Sequence, residues 1–356
     1  MDKQKLFWLL LLRKRTSYRN LGFSLIEKLI TLVIATIITT GLVGLITQFI
    51  QSDQQEAAFL ATEKDTQIAL DYITEDLREA VFVYEEISSL LIESLPEFEN
   101  IPELGPSSQP VLIFWKTEPV PPDQLPSVTC QPDPNDPEEQ VCSCPQFADE
   151  LEDEECRLLN IKRHVYTLVV YVQTTDEHEK WLGKSRLVRY ALPKYSNPAQ
   201  LEQTIGFVDP AIYGNFVTWP KDKDGINQQQ ERPNPGAPDQ PNPMVLVDFI
   251  DSPDRSEFFS EASPNLPPPP ETCPNEYSRV PSQANVNNSF FACVRKSRIN
   301  LTDTDVRVGV NQDIIVFLRG NSEGRDRLIK EIKHNIPSLR AQVTLRGVID
   351  KKPTNQ

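Results

Sequence analysis

Two sets of residues in this sequence are of types that do chemistry. The first is Gly22-Phe23-Ser24-Leu25-Ile26-Glu27, where a carboxylate stands at the head of a long apolar run. A carboxylate in or near hydrocarbon is costly unless it meets a cation, so Glu27 calls for a partner. The second set is six cysteines: Cys130, Cys142, Cys144, Cys156, Cys273 and Cys293. An even count in polar loops favours disulfides in an oxidising compartment. The first four are spaced C-x11-C-x-C-x11-C, which would also suit a four-thiolate zinc site, although a C-x-C core is less typical of zinc than C-x-x-C. As disulfides these four allow three pairings, and spacing does not choose among them. Cys273 and Cys293 form a third candidate pair, tying a proline-rich loop back to a strand.

Other candidates are weaker. Residues 131–155 hold ten acidic side chains and no lysine or arginine, and oxygen-rich loops of this kind can hold calcium. Asp222, Asp224 and Asn227 (in DKDGIN) resemble the start of a calcium loop, but the distal glutamate is missing. The competing reading of both is a solvated acidic loop. His164, His178 and His334 sit in no metal-ligand spacing, and neither a P-loop, a G-x-S-x-G element nor a glycine-rich dinucleotide fingerprint occurs. A non-enzymatic protein is expected.

The elements that must position these residues begin at the N-terminus. Leu29–Ile50 carries no charge over 22 residues. As a helix it is about 33 Å long, enough to cross a bilayer. Within residues 1–22, Lys3, Lys5, Arg13, Lys14, Arg15 and Arg19 stand against Asp2 alone; Asp53, Glu56, Glu63 and Asp65 follow the run. Basic flanks stay inside, so the N-terminus is expected in the cytoplasm and the bulk of the chain across the membrane. The formal charge of -15 and this basic leader leave a strongly acidic body, which disfavours nucleic acid as a partner. The short apolar run at residues 6–12 is neither long enough to span nor followed by a small-residue cleavage site.

No proline occurs before Pro96, and Ile68, Leu70, Ile73, Leu77, Val81 and Tyr84 recur mostly at three- and four-residue steps. The expectation is one helix from about Phe23 to about Ile87, apolar to residue 50 and amphipathic over 51–90. Asp65, Asp71, Glu75, Asp76, Arg78 and Glu79 are expected on its polar face. Strands are predicted at Val111–Lys116, Tyr166–Gln173, Arg186–Leu192, Met244–Ile250, Phe290–Arg295, Ile314–Leu318 and Gln342–Val348. The buried face of Arg186–Leu192 is left open, because its apolar residues do not alternate cleanly. The fold class is α+β: a long N-terminal helix packed on a mainly antiparallel sheet. The head would run over 91–356, with long proline-rich loops at about 117–160, 220–243 and 252–289, disordered or tied by disulfides.

The segment GFSLIE, a glycine before an aromatic residue with glutamate five positions into the following chain, resembles the type IV prepilin processing site. The resemblance implies a leader over 1–22, cleavage between Gly22 and Phe23 by a prepilin peptidase, and N-methylation of Phe23. It also implies that Glu27 pairs with the terminal amine of a neighbouring subunit during assembly. Lys28 departs from the family, which generally has an apolar residue there. The string Tyr72–Ala80 is similar to the D-L-R-x-A element of J-type pseudopilins; its alternative reading is a solvated helix face. With the proline-rich insertions, the strand RLVRYAL, Ile314–Asn321 (IIVFLRGN) and Leu345–Ile349 (LRGVI), the chain looks most like cyanobacterial pseudopilins of hormogonium polysaccharide secretion. That resemblance implies a minor subunit of a pilus-like filament, working with other pilins and an inner-membrane assembly platform. The competing implications are a type II secretion pseudopilin, a minor pilin, and a signal-anchored periplasmic protein that binds cation or glycan.

Overall fold

The computed structural model describes residues 24–96, 98, 101, 103–132, 140–213, 216–229, 243–252, 273–282, 289–296, 311–325 and 338–348. Helix α1 runs over Leu25–Arg78, and the chain divides into two compact units at Gln54. In the first unit every residue from Ser24 to Ser52 is exposed, the apolar ones included. Thr31, Thr36, Thr39, Thr40 and Thr47 each donate their hydroxyl to a backbone carbonyl three or four residues earlier. The threonine hydroxyls are thus satisfied within the helix, as hydrocarbon requires.

In the second unit the same helix becomes one-sided. Ala58, Thr62, Thr66, Ala69, Leu70, Ile73 and Leu77 are buried, at helical three- and four-residue steps. The helix ends at Arg78, earlier than its apolar periodicity predicts. Ala80–Val83 is strand β1 instead, paired with strand β2 at Gln109–Pro119. The local sequence Ala-Val-Phe-Val suits a strand at least as well as a helix. Its ladder with β2 decides the matter, and Val81 and Tyr84 belong to the sheet and the turn after it.

Helix α2 is Ser89–Glu93. Strand β3 (Thr129–Pro132) and strand β4 (Gln140–Ser143) form a separate two-stranded hairpin. Helix α3 follows at Glu150–Lys162, then β5 (His164–Thr174), β6 (Ser185–Pro193), the short pair β7 (Tyr195–Asn197) and β8 (Glu202–Gln203), helix α4 (Pro210–Tyr213) and β9 (Met244–Ile250). The last four are β10 (Tyr277–Val280), β11 (Phe290–Arg295), β12 (Asn311–Leu318) and β13 (Leu339–Val348). They make two main sheets, ordered β1-β2-β5-β6-β9 and β10-β11-β12-β13, with every adjacent pair antiparallel. All seven predicted strands are present.

One core joins Leu70, Ile73 and Leu77 of α1 to Leu112, Phe114, Val169, Tyr171 and Leu187 of the first sheet and to Phe290, Val316 and Leu345 of the second. A second core covers the opposite face of the first sheet, where Trp115, Val170, Val188, Tyr190 and Leu192 meet Phe98, Phe207, Phe216 and Trp219 from the loops. Strand β6 thus gives Leu187 to the first core and Val188, Tyr190 and Leu192 to the second, which is why its apolar residues do not follow a simple alternation. Each fully buried Leu or Ile contributes about 1.5–3 kcal/mol. The loops expected at 117–160 are more regular than their composition suggests: the β3–β4 hairpin and α3 lie within them. Helix α3 is capped by Asp149, whose carboxylate accepts from Leu151 N at 2.9 Å, and it opens with Glu150, Glu152 and Asp153 and closes on Lys162. An N-cap, an acidic first turn and a basic last turn are a helix signal that the acidity of the segment conceals.

Candidate functional site

Glu27 lies in the first turn of α1, exposed, with the uncharged run beginning two residues later. The helix N-terminus carries partial positive charge, which favours a carboxylate there. Its backbone ladder begins with Lys28 N donating to Ser24 O at 3.2 Å. Gly22, Phe23 and the leader lie outside the described residues.

The head is fastened to the second part of α1 by a cluster of charges. Asp76 Oδ1 accepts from Lys116 Nζ of β2 at 2.8 Å, and Oδ2 accepts from Arg189 Nε of β6 and the Tyr171 hydroxyl of β5, both at 2.7 Å. Lys116 Nζ also lies 3.4 Å from Glu79 and 3.8 Å from Glu118. Asp76 and Lys116 are buried, their side chains 8% and 7% exposed. Burial works to raise the Asp76 carboxyl, but bonds and charges from Arg189 and Lys116 outweigh it and hold the group below its ordinary value. Burial likewise works to lower Lys116, and its bond to Asp76 raises it overall. Such a buried group is costly to break once formed.

This changes the reading of the D-L-R-E-A string. Glu75 and Arg78 face solvent, but Asp76 points inward with Leu77 and Ala80. It is an anchor rather than a solvated face, and Asp76 is removed from the polar side on which sequence spacing placed it. Sequence reasoning missed Lys116, Tyr171 and Arg189 as its partners. The only local signal is a cation set among apolar residues in each of two strands, Lys116 after Val111–Trp115 and Arg189 between Val188 and Tyr190.

The six cysteines pair as Cys130–Cys142, Cys144–Cys156 and Cys273–Cys293. This selects one of the three pairings open to the first four and leaves no thiolates for the zinc alternative. Cys144–Cys156 staples β4 to α3, reinforced by Cys144 N donating to Asp153 Oδ1 at 2.6 Å. The Asp222 carboxylate is consumed by its own turn: Oδ1 accepts from Asp224 N and Ile226 N, and Oδ2 accepts from Gln228. Asn227 Oδ1 accepts from Gln229 N. These groups close a turn through Gly225, whose φ is +81°, in place of converging on an ion. Among the described residues no group of three or more His, Cys, Asp or Glu is placed to hold a metal.

A long apolar helix that opens on a glutamate, followed by an antiparallel α+β head, is a pilin-like architecture. Residues 18–43 match the family model of the prokaryotic N-terminal methylation motif, the type IV pilin-like signal. The match covers the leader end, Gly22, Phe23 and Glu27. Such a motif implies processing by a prepilin peptidase and assembly with other pilins, and the helix after it is long and apolar enough to cross a membrane. Neither the curated proteins nor the solved structures yield a match to the chain.

Proposed function

We propose that this chain is a minor pseudopilin, cut between Gly22 and Phe23, N-methylated at Phe23 and added through α1 to a pilus-like filament in the bacterial inner membrane. Glu27 carries the proposal. It is the one carboxylate at the entrance to an uncharged run, and in a bundle of such helices the new N-terminal ammonium of a neighbour is the cation suited to meet it. The head stands on the periplasmic side, where disulfides persist. It primes or caps the filament rather than repeating along its shaft, because two main sheets and a stapled hairpin make a bulky subunit for dense packing. The exported substrate is polysaccharide, in gliding motility; the resemblance of the RLVRYAL, IIVFLRGN and LRGVI segments to cyanobacterial pseudopilins, read from the sequence alone, supports this. A J-type pseudopilin of protein secretion is the second reading, favoured by the Asp76–Ala80 element.

The test is the mass of the mature N-terminal peptide, with and without prepilin peptidase. A peptide starting at N-methylated Phe23 only when the peptidase is present is the expected result. A chain retaining Met1 would leave a signal-anchored periplasmic protein, in which Glu27 has no role in assembly. Loss of protein export with normal polysaccharide on gene deletion would select the second reading.

A further inference from the structure

We propose that Cys130–Cys142 is a redox-exchange site, opened selectively by a dithiol while the other two disulfides stay closed. The three bridges differ in access. Cys144, Cys156 and Cys293 are 1%, 0% and 0% exposed, and Cys273 packs partly buried against the cluster of Phe291, Ile315 and Phe317. Cys130 is exposed and Cys142 half-buried, on a hairpin whose first strand is exposed throughout. They are directly opposed in the antiparallel register, so the bridge crosses between neighbouring strands. That hairpin is a two-stranded sheet apart from both main sheets. Isolated hairpins are marginal in water, so this one depends on its bridge. Opening it releases β3 from β4, while Cys144–Cys156 still holds β4 to α3.

The chemistry balances as ordinary exchange. A thiolate of the dithiol attacks Sγ of Cys130, forming a mixed disulfide and releasing the Cys142 thiolate, which takes a proton. The second thiolate of the reductant attacks its own sulfur in the mixed disulfide and releases Cys130. Two electrons pass to the protein, the reductant closes to a disulfide, and Cys130 and Cys142 end as thiols.

The full-length protein in detergent is titrated with dithiothreitol, quenched, alkylated and mapped by peptide mass. Cys130 and Cys142 are expected to label at roughly tenfold less reductant than the other four, with the near-ultraviolet circular dichroism of the head unchanged. Simultaneous labelling of all six, or collapse of the signal with the first pair, overturns the proposal. A C130S/C142S double variant should fold with its two remaining bridges, and failure to fold would make the bridge structural instead.

Discussion

Asp76 and Arg189, 113 residues apart in the chain, meet at 2.7 Å between helix α1 and the first sheet. Around that contact Lys116 and Tyr171 complete the carboxylate's partners, and Leu77 and Ala80 pack beside it in full burial. The arrangement fixes both the rotation of the helix and its position along the sheet. Apolar packing alone tolerates small slippage, whereas a buried carboxylate with three directional donors does not.

Removing the charge should therefore be costly. Asp76→Asn leaves the buried Lys116 and the half-buried Arg189 without their principal counter-charge, and a loss of about 3–5 kcal/mol is expected from urea unfolding. Glu75→Gln, one residue earlier and facing solvent, should stay within about 0.5 kcal/mol of the parent. Equal effects of the two would refute the anchoring role.

Stability should also fall with acid in a definite window. The folded Asp76 carboxyl is held below its unfolded value, so its contribution is complete above about pH 4 and is lost as pH falls through the folded value. Glu155 is shifted the same way: burial works to raise it, but the bond and charge of Lys194 prevail. Lys116 is raised, so its contribution is complete below about pH 10 and declines only as pH climbs through its folded value. Thermal midpoints should be flat between these limits, and the acid limb should be shallower in Asp76→Asn. An acid limb unchanged in that variant would assign the loss to other carboxylates.

On the proposed assembly, Glu27→Ala should leave peptidase cleavage intact and abolish entry into the filament. Sheared surface fractions and membrane fractions, probed for the mature chain, separate the two effects. Normal incorporation of the variant would remove Glu27 from assembly.

The seven predicted strands were readable because each is a short apolar or β-branched run bounded by turn residues, and burial on both faces of the first sheet only lengthens those runs. The end of α1 was not readable: Val81 and Tyr84 continue a helical spacing that β2 overrides by pairing. Helix α3 was hidden by its acidity. Its cap at Asp149 is visible in retrospect, and the bridge to Cys144 holds it in place.

By itself, the sequence determined what depends on neighbours along the chain: an uncharged run long enough to span a bilayer, a carboxylate at its entrance, a basic side and an acidic side, and the methylation motif over residues 18–43. These follow from local solvation and charge, which need no fold to express them. The tertiary structure alone decided which helix carboxylate is buried and which cysteines pair. Lys116, Tyr171 and Arg189 lie 40, 95 and 113 residues from Asp76, and only the sheet order brings them to one point. A charge's preference between water and the interior is settled by such distant partners, so Asp76 and Glu75 look alike in the chain and differ wholly in the folded protein.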